Sequence, residues 1–433
     1  MKQSASKYKA WVVGVDMGYG HQRTAYPLRQ LASDGNIIHA NHYQGIPSSD
    51  RTIWENKRRG YEFISRFKRI PLVGQLLFLV FNEYQKIKDF YPRRDLSRPN
   101  FAIKHEYSLI KKGWGKHLIS ELNKNPLPLI TTFFIPAFMA DHFNYRGQIF
   151  CVICDADVSR TWVSLNPKKS KINYFAPTTW VADRLKLYGV PEKNICQTGY
   201  PLPLENIGTK NMEILKDDLR RRILNLDPKR KYLSKYGSLV RDYLGELPKR
   251  SDHPLTIMFS VGGAGAQGQI GIRAIRSLIK EVKKGAVKIN LVAGIRSGVR
   301  EYFYKEIARL GLAHQVGKSI EIVFGETMES YFRIFNEKLR KTDILWTKPS
   351  ELSFYCALGL PILIAPAIGY QEEFNKRWLL SVGSGIPQEN PDYISEWLYD
   401  FLNGGRFAQS AMEGFIKAEK FGTFNIKKLA CYG

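Results

Sequence analysis

The sequence predicts an α/β protein with two doubly wound, Rossmann-like domains that face a cleft. The chain has 433 residues, which is too long for one ordinary core and fits two domains of about 200 residues each. Apolar runs with strand character alternate with segments of roughly ten residues or more, as parallel crossover connections require. Each half also has a glycine-rich turn directly after its first apolar run, where a doubly wound domain binds its ligand.

The apolar runs predict strands in both halves of the chain. Those of the first half are Ala10–Asp16, Ile37–Ala40, Leu127–Phe134, Gln148–Asp155, Ile172–Ala176 and Asn194–Thr198. Those of the second half are Thr256–Val261, Val287–Ala293, Ser319–Phe324, Asp343–Thr347 and Pro361–Ala365. The two prolines in Gly199–Glu205 interrupt regular structure. We therefore predict domains at 1–203 and 204–390, with the tail 391–433 forming helices that pack back on the first domain.

The charge balance favours anionic partners. The chain has 65 Lys and Arg against 40 Asp and Glu, a formal net charge of +25. Such an excess suits nucleic acid, an anionic lipid surface or phosphorylated substrates. Because no RNA-binding signature or zinc-finger spacing accompanies the basic residues, we predict an anionic membrane surface and no nucleic acid. A solvated basic face remains open as an alternative.

One apolar run has the character of a membrane-surface segment. Ile70–Phe81 is shorter than the roughly 18 residues that a membrane span needs. Basic residues flank it on both sides, which is typical of a helix lying in a bilayer interface. We therefore predict that 62–90 faces the membrane, and a core helix with polar flanks is the alternative. The basic residues are Arg66, Lys68, Arg69, Lys86 and Lys88.

The N-terminal sequence and the cysteines bear on the cellular compartment of the protein. The start, MKQSASKYKA, lacks the apolar core of a signal peptide. Five cysteines without a disulfide-framework spacing indicate reducing conditions. Cys151 and Cys154 lie inside an apolar run, which favours burial over a redox or zinc role. We expect a cytoplasmic protein, peripheral on the inner face of the membrane.

Gly18, Tyr19, Gly20 and His21 follow the first predicted strand and precede a helix. The two glycines allow a sharp turn, and the start of the helix offers N–H groups to an anion or a hydroxyl. We expect His21 to face the crevice and to act as a general base toward an acceptor hydroxyl, since its unperturbed pKa lies near neutrality. A structural histidine is the alternative.

The second glycine-rich turn, Gly262–Gly268, also lies between a strand and a helix. Its backbone N–H groups can approach a diphosphate closely, and the dipole of the next helix offsets the phosphate charge. The turn has neither the P-loop sequence nor the spacing of the dinucleotide fingerprint. A flexible surface loop is the alternative to phosphate binding.

Two further polar segments are predicted to begin helices. In Thr347–Glu351, Pro349 suits the first turn, and Glu351 can accept both hydroxyls of a ribose or simply complement the helix dipole. In Gly369–Asn375, polar side chains can bind sugar hydroxyls. Gly383 and Gly385 are predicted to end the second of these helices.

Together these motifs resemble the monogalactosyl- and glucosyldiacylglycerol synthases and the undecaprenyl-muropeptide N-acetylglucosaminyltransferases, which have the GT-B fold. They cover most of the chain in the family order. The first half contributes GYGH (Gly18–His21), CDADVSRTW (Cys154–Trp162), FAPTTWVADRL (Phe175–Leu185) and TGYPLP (Thr198–Pro203). The second contributes SVGGAGAQG (Ser260–Gly268), FGETME (Phe324–Glu329), DILWTKP (Asp343–Pro349), ALGLPILIAP (Ala357–Pro366) and GYQEEFN (Gly369–Asn375).

The resemblance implies a glycosyltransferase that moves a sugar from a nucleotide donor to a lipid or membrane-bound acceptor. UDP is the nucleotide expected in the donor. The donor is a substrate, and no cofactor and no metal are expected. The first domain would bind the acceptor through Gly18, Tyr19 and Gly20, with His21 as base. The second domain would bind the donor diphosphate, uracil, ribose and sugar. Its implied donor-binding residues are Gly262, Gly263, Ala264, Gly265, Phe324, Met328, Lys348, Ser350, Glu351, Gln371, Glu372 and Asn375.

Two departures from the family pattern bear on this assignment. The helix after Lys348 lacks the family's deeper glutamate, which leaves ribose binding to Glu351 or to another arrangement. The turn Met17–Gly20 has fewer glycines than is usual, which predicts a differently shaped acceptor pocket.

Asp155 and Asp157 form a DxD, a sequence that holds a metal in another glycosyltransferase fold. Here the pair lies in the first domain, away from the phosphate turn, so we predict a role in orienting His21 or the acceptor. A nucleotide-sugar epimerase or hydrolase of the same fold and a non-catalytic basic membrane-binding protein remain alternatives to the transferase.

Overall fold

The computed structural model describes residues 9–67, 87–260, 267–367 and 370–432. They form two compact units. The first comprises the described parts of Met1–Pro201, Gly369–Phe374 and Phe421–Gly433, and the second those of Leu202–Ile368 and Asn375–Lys420. Three predictions fall wholly or partly outside the described residues. They concern the apolar run Ile70–Phe81 within 62–90, the glycines Gly262, Gly263 and Gly265 with Ala264, and Gly369.

The first unit is built on a parallel six-stranded sheet with the order β2-β1-β3-β4-β5-β6. Its strands are β1 (Trp11–Gly14), β2 (Ile38–His39), β3 (Leu129–Thr131), β4 (Ile149–Val152), β5 (Ile172–Ala176) and β6 (Ile195–Gln197). Among the described residues up to 201, its helices are α1 (Tyr19–Ala25), α2 (Ser48–Phe67), α3 (Phe101–Lys111), α4 (Lys116–Leu122), α5 (Phe134–His142) and α6 (Thr179–Leu187). Strand β4 is buried along its whole length, as expected of a parallel strand covered on both faces.

The second unit contains another parallel six-stranded sheet, with the order β12-β11-β10-β7-β8-β9. Counted from β7, this is the Rossmann order 3-2-1-4-5-6. Its strands are β7 (Leu255–Ser260), β8 (Val287–Gly294), β9 (Ile320–Phe324), β10 (Ile344–Thr347), β11 (Ile362–Ile364) and β12 (Gly385–Pro387). Two doubly wound α/β domains were the predicted fold class, and the two sheets confirm it.

Ten helices follow in the described part of the chain after the first unit's α6. They are α7 (Glu213–Leu226), α8 (Lys231–Leu244), α9 (Gly268–Ser277), α10 (Ile279–Lys283), α11 (Ser297–Arg309), α12 (Met328–Leu339), α13 (Tyr370–Val382), α14 (Ile394–Asn403), α15 (Arg406–Lys417) and α16 (Gly422–Tyr432). Among the described residues, none of the helices combines the length and the apolar character needed to cross a membrane.

The C-terminal helix α16 belongs to the first unit. Its Ile426 and Ala430 join the buried cluster that contains Val12 and Leu28, from β1 and the 3-10 helix Tyr26–Leu31. The Asn425 side-chain amide also donates to the carbonyl of Thr198 at 2.8 Å. Helices α14 and α15 lie instead in the second unit. The tail 391–433, predicted to pack on the first domain, is therefore divided between the units.

Three local predictions differ from the structure. Gly385 begins strand β12, rather than helping to end a helix, because an isoleucine and a proline after it extend the chain beside β11. The segment 230–253 is rich in turn-forming residues, Lys and Arg, a composition that predicts irregular structure, but it contains helix α8. Its apolar side chains Tyr232, Val240 and Leu244 are buried, and tertiary packing of this kind outweighs weak helix propensity. Pro349 precedes the N-cap Ser350 of the 3-10 helix Glu351–Leu358, so it lies outside the helical turn.

Candidate active site

His21 lies in the turn between β1 and α1, at the carboxyl edge of the first sheet. Helix α1 begins at Tyr19, and its N-cap Gly18 has a φ of 132°, a conformation that side chains disfavour. Strands β2 and β3 flank β1 on opposite sides, so the chain changes direction across the sheet here. This is the switch point at which doubly wound domains bind ligands.

Thr132, the residue after β3, holds His21 by its backbone and its side chain. The Nδ1 atom of His21 lies 2.9 Å from the Thr132 carbonyl oxygen, and the Thr132 hydroxyl donates to the carbonyl of His21 at 2.9 Å. Because a carbonyl only accepts, the neutral imidazole carries its hydrogen on Nδ1. The ring's proton-accepting nitrogen is then Nε2, as a general base requires.

Aromatic rings surround the imidazole. The ring of Phe133 meets His21 edge to face with centroids 4.6 Å apart, and the ring of Trp162 lies 6.0 Å away. Phe134 packs against Trp162 at 5.3 Å. The Cys154 sulfur, after β4, lies 3.5 Å from Nδ1. The imidazole therefore lies against mostly apolar side chains.

The turn before His21 is tied to β2. Gln22 donates through its side-chain amide to Asp16 at 2.6 Å, and the Asn41 side chain accepts from the Asp16 N–H at 3.0 Å. The rings of His39 and His42 stack beside this turn with centroids 4.6 Å apart. Burial lowers the pKa of His39, the charge of His42 lowers it further, and Asp16 opposes them. His39 therefore favours its neutral form.

The two acids of the DxD have different surroundings. Arg184 binds Asp157 through two hydrogen bonds, Nε to Oδ1 at 3.0 Å and Nη2 to Oδ2 at 2.8 Å, and both side chains are buried. The Val158 N–H also donates to Asp157 at 2.8 Å. Asp157 thus anchors this loop, and its role in orienting His21 stays a prediction. Asp155 is half-buried, and its carboxylate lies 3.9 Å from the Cys154 sulfur.

In the second unit the switch point lies between β7 and β10. Of the predicted phosphate turn, Gln267 and Gly268 lie within the described residues. The Gln267 side-chain amide donates to the carbonyl of Pro366, after β11, at 2.9 Å. A Cβ on Gly271 would lie 2.7 Å from the Phe259 ring, so glycine allows α9 to pack closely on β7. The described end of this turn is therefore held against the sheet's carboxyl edge.

The predicted uracil segment follows β9. Phe324 is the last residue of that strand, and Met328 is the first of α12. Thr327 caps α12, and its side chain and that of Ser330 form a reciprocal capping box. The guanidinium of Arg300, from α11, lies over the Phe324 ring at 4.3 Å from its centroid. This edge therefore presents an aromatic ring with a cation stacked on it.

The predicted ribose and sugar residues lie on two other elements. Lys348, Ser350 and Glu351 come directly after β10, and each is half-buried. Gln371 and Glu372 in the first turn of α13 are half-buried as well, whereas Asn375 is 1% exposed. Burial of this amide favours a role within the fold over open contact with a sugar.

The structure gathers the predicted residues by unit. One group follows strands of the first sheet and consists of Gly18, Tyr19, Gly20, His21 and Asp155. The other group ends or follows strands of the second sheet and consists of Phe324, Met328, Lys348, Ser350 and Glu351. Sequence reasoning missed Thr132, Phe133 and Arg300. Thr132 and Phe133 lie at the end of the predicted strand Leu127–Phe134, and ligands bind at such strand ends in doubly wound domains. Arg300 lies in no motif that indicates a binding site. Among the described residues, no group of three or more His, Cys, Asp and Glu side chains could hold a metal ion.

Solved structures similar in fold include a UDP-GlcNAc 2-epimerase, MurG and a glycosyltransferase. The UDP-GlcNAc 2-epimerase from Neisseria meningitidis bound to UDP-GlcNAc is 12% identical, with a TM-score of 0.45 over 77% of this chain and 82% of that chain. MurG of Acinetobacter baumannii is 13% identical, with a TM-score of 0.44 over 76% and 77%. A glycosyltransferase from Rickettsia africae is 13% identical, with a TM-score of 0.43 over 98% and 97%.

These likenesses concern the fold alone. No protein-family model and no curated protein sequence matches the chain.

Proposed function

We propose that this protein is a glycosyltransferase that moves a sugar from a UDP donor to a hydroxyl of a lipid acceptor. The observation that carries the proposal is the orientation of His21. Its Nδ1 lies 2.9 Å from the Thr132 carbonyl, which makes Nε2 the basic nitrogen at the ligand-binding edge of a doubly wound domain. General-base help of this kind accelerates reactions by about 10² to 10⁴-fold.

The second unit would bind the nucleotide part of the donor. We assign its diphosphate to Gly262, Gly263, Ala264 and Gly265, and its ribose to Glu351 with Ser350. Lys348 would offset phosphate charge, and Phe324 and Met328 would flank the base. Gln371 and Glu372, in the first turn of α13, would contact the sugar. The support is positional, because the described members follow strands of one sheet at its carboxyl edge.

The proposed reaction is a displacement at the anomeric carbon of the donor sugar. The acceptor oxygen forms the new bond to that carbon as the bond to the diphosphate oxygen breaks. The acceptor proton passes to Nε2 of His21, and UDP departs with the bonding electrons. Asp155, beside Cys154, would position the acceptor hydroxyl.

A titration of UDP against the whole protein, followed by product analysis, tests the proposal. We expect UDP to bind, and a UDP-sugar with a membrane lipid extract to yield a glycolipid and UDP. Glu351→Gln should weaken UDP binding without changing the product. Formation of an epimerised or hydrolysed sugar nucleotide with no glycolipid would contradict a transferase.

The lipid acceptor and a peripheral place on an anionic membrane surface have separate support in the first unit. Tyr91 and Phe101 are 70% and 68% exposed, and the Arg93 guanidinium stacks near the Tyr91 ring, 5.9 Å from its centroid. Exposed aromatic and basic side chains suit the interface of an anionic bilayer. The net charge of +25 favours the same partner.

Co-sedimentation with vesicles tests the membrane partner. Wild type should bind vesicles that contain anionic lipid, and added salt should weaken the binding. The double variant Tyr91→Ser with Phe101→Ser should bind less. Tyr393→Ser in the second unit removes another exposed ring, 57% exposed, and should have no effect. Equal recovery of the double variant and wild type would favour a soluble acceptor.

A further inference from the structure

Arg300 and Phe324 form a stacked pair at the carboxyl edge of the second sheet. Phe324 ends β9, and Arg300 lies in the first turn of α11, which follows β8. Gly294, the last residue of β8, pairs with Phe324 across the sheet. The Gly325 N–H also donates to the Gly294 carbonyl at 3.0 Å. The ends of both strands are therefore joined beneath the stack, which fixes the positions of the ring and of α11.

The shape and the exposure of the pair suit a planar ligand. Both side chains are half-buried, so each keeps part of its surface open to solvent. Within the described parts of the chain, no carboxylate forms an ion pair with the Arg300 guanidinium, whose contact is with the ring. A guanidinium held on an aromatic face offers a flat cationic surface, on which planar groups stack.

We propose that Arg300 and Phe324 form the platform that binds the nucleobase of the donor, an inference that rests on the proposed function. A pyrimidine ring stacks on the guanidinium or on the aromatic ring beside it, as bases do on arginine and aromatic side chains. Arg300 lies outside every motif that carries the family resemblance. It therefore adds a residue that determines affinity for the base, separate from those assigned to the phosphates.

The test compares ligands that share the base with one that lacks it. UDP, UMP and inorganic pyrophosphate are titrated against the whole protein, with pyrophosphate measured by displacement of UDP. Arg300→Ala should weaken UDP and UMP by the same factor, roughly tenfold, and leave pyrophosphate unchanged. Phe324→Leu should act in the same way. Thermal melting of each variant confirms that it is folded.

Two arginine variants separate stacking from charge. Arg296→Ala removes an exposed positive charge at the residue that precedes α11 and should leave the affinity for UDP close to that of wild type. Arg300→Lys keeps the charge and loses the planar face, so it should remain weaker than wild type.

Two results would overturn the platform. One is equal UDP affinity of Arg300→Ala and wild type. The other is a loss that grows from UMP to UDP and extends to pyrophosphate, since it would place Arg300 on the phosphates. If wild type itself failed to bind UDP, the proposed donor would be wrong, and this inference would fall with it.

Discussion

His21 and Asp157 both lie at the carboxyl edge of the first sheet, and their partners give them different chemistry. The imidazole bonds a main-chain carbonyl through Nδ1 and contacts aromatic rings, which makes Nε2 its proton-accepting nitrogen. The carboxylate is bound by the Arg184 fork and a backbone N–H, which uses its acceptor capacity within the fold. Residue type alone therefore does not decide which polar group at this edge is reactive.

Replacing His21 should separate catalysis from donor binding. His21→Gln removes the basic nitrogen, so we expect turnover with a lipid extract to fall by about 10² to 10⁴-fold. UDP affinity, measured by titration, should stay at the wild-type value, since the residues proposed to bind UDP itself lie in the second unit. Turnover within a factor of a few of wild type would instead make His21 a structural turn residue.

Breaking the Asp157–Arg184 pair should affect stability first. Asp157→Ala leaves a buried guanidinium without its carboxylate, and such a loss costs about 3–5 kcal/mol. Chemical denaturation should show this decrease in the free energy of unfolding. Asp183→Ala, which removes a neighbouring acid on α6, should cost far less. A stable Asp157→Ala protein with lost turnover would return Asp157 to the catalytic group.

At the scale of elements, glycine decides how closely α9 approaches its sheet. A methyl group on Gly271 would lie 2.7 Å from Phe259 and 2.9 Å from Leu291. Gly271→Ala should therefore destabilise the protein by about 1–3 kcal/mol, although alanine favours a helix by about 1 kcal/mol. Gly298→Ala in α11 meets open space and should be neutral or stabilising. Denaturation midpoints of the two variants provide the comparison.

A histidine links two acidic side chains at the amino edge of the second sheet. His253 contacts Asp252 through Nδ1 at 2.7 Å and Asp343 through Nε2 at 3.3 Å. Burial lowers the pKa of His253, but the hydrogen bonds and charges of the two acids outweigh it and raise the pKa above its ordinary value of 6.5. Two cations also face this cluster, because Arg221 and Lys341 lie 3.7 Å and 3.9 Å from Asp252.

This raised pKa predicts a pH-dependent stability. The imidazolium's contribution is fully present below the unfolded-state pKa near 6.5 and is lost as pH rises through the higher folded-state pKa. His253→Gln should therefore lose stability relative to wild type below pH 6.5, by about 1.5–3 kcal/mol for bonds to a charged group. The gap should narrow above the folded-state pKa. Unfolding curves across this range test the sign, and a gap that widens with pH would contradict it.

The strands were predictable because parallel strands buried on both faces read as short apolar runs. Ile172–Ala176 was predicted with the observed bounds. Strand β12 was missed, since Gly385-Ile386-Pro387 has one apolar side chain that only packing against β11 identifies. The turn at His21 followed from its glycines, whereas its carbonyl partner Thr132 lies 111 residues away. No local pattern encodes such a contact.

At the scale of the whole molecule, the first unit depends on the end of the chain. Ile426 is fully buried among residues of β1 and the 3-10 helix after α1. Ile426→Ala should destabilise that unit by about 2–5 kcal/mol, and Lys428→Ala, on an exposed position of α16, should not. Hydrogen exchange should quicken in β1 and β4, while UDP affinity stays unchanged. Unaltered exchange in β1 would show that α16 is dispensable there.

The same helix has a consequence for biosynthesis. A ribosome synthesises the chain from the N-terminus to the C-terminus. Val12 and Leu28 therefore emerge roughly 400 residues before Ile426, which covers them. The nascent N-terminal half must wait with an uncovered apolar surface, the condition under which emerging chains recruit chaperones or aggregate. The first unit, whose N-terminal part is translated first, can therefore complete its core only after helix α16 has emerged.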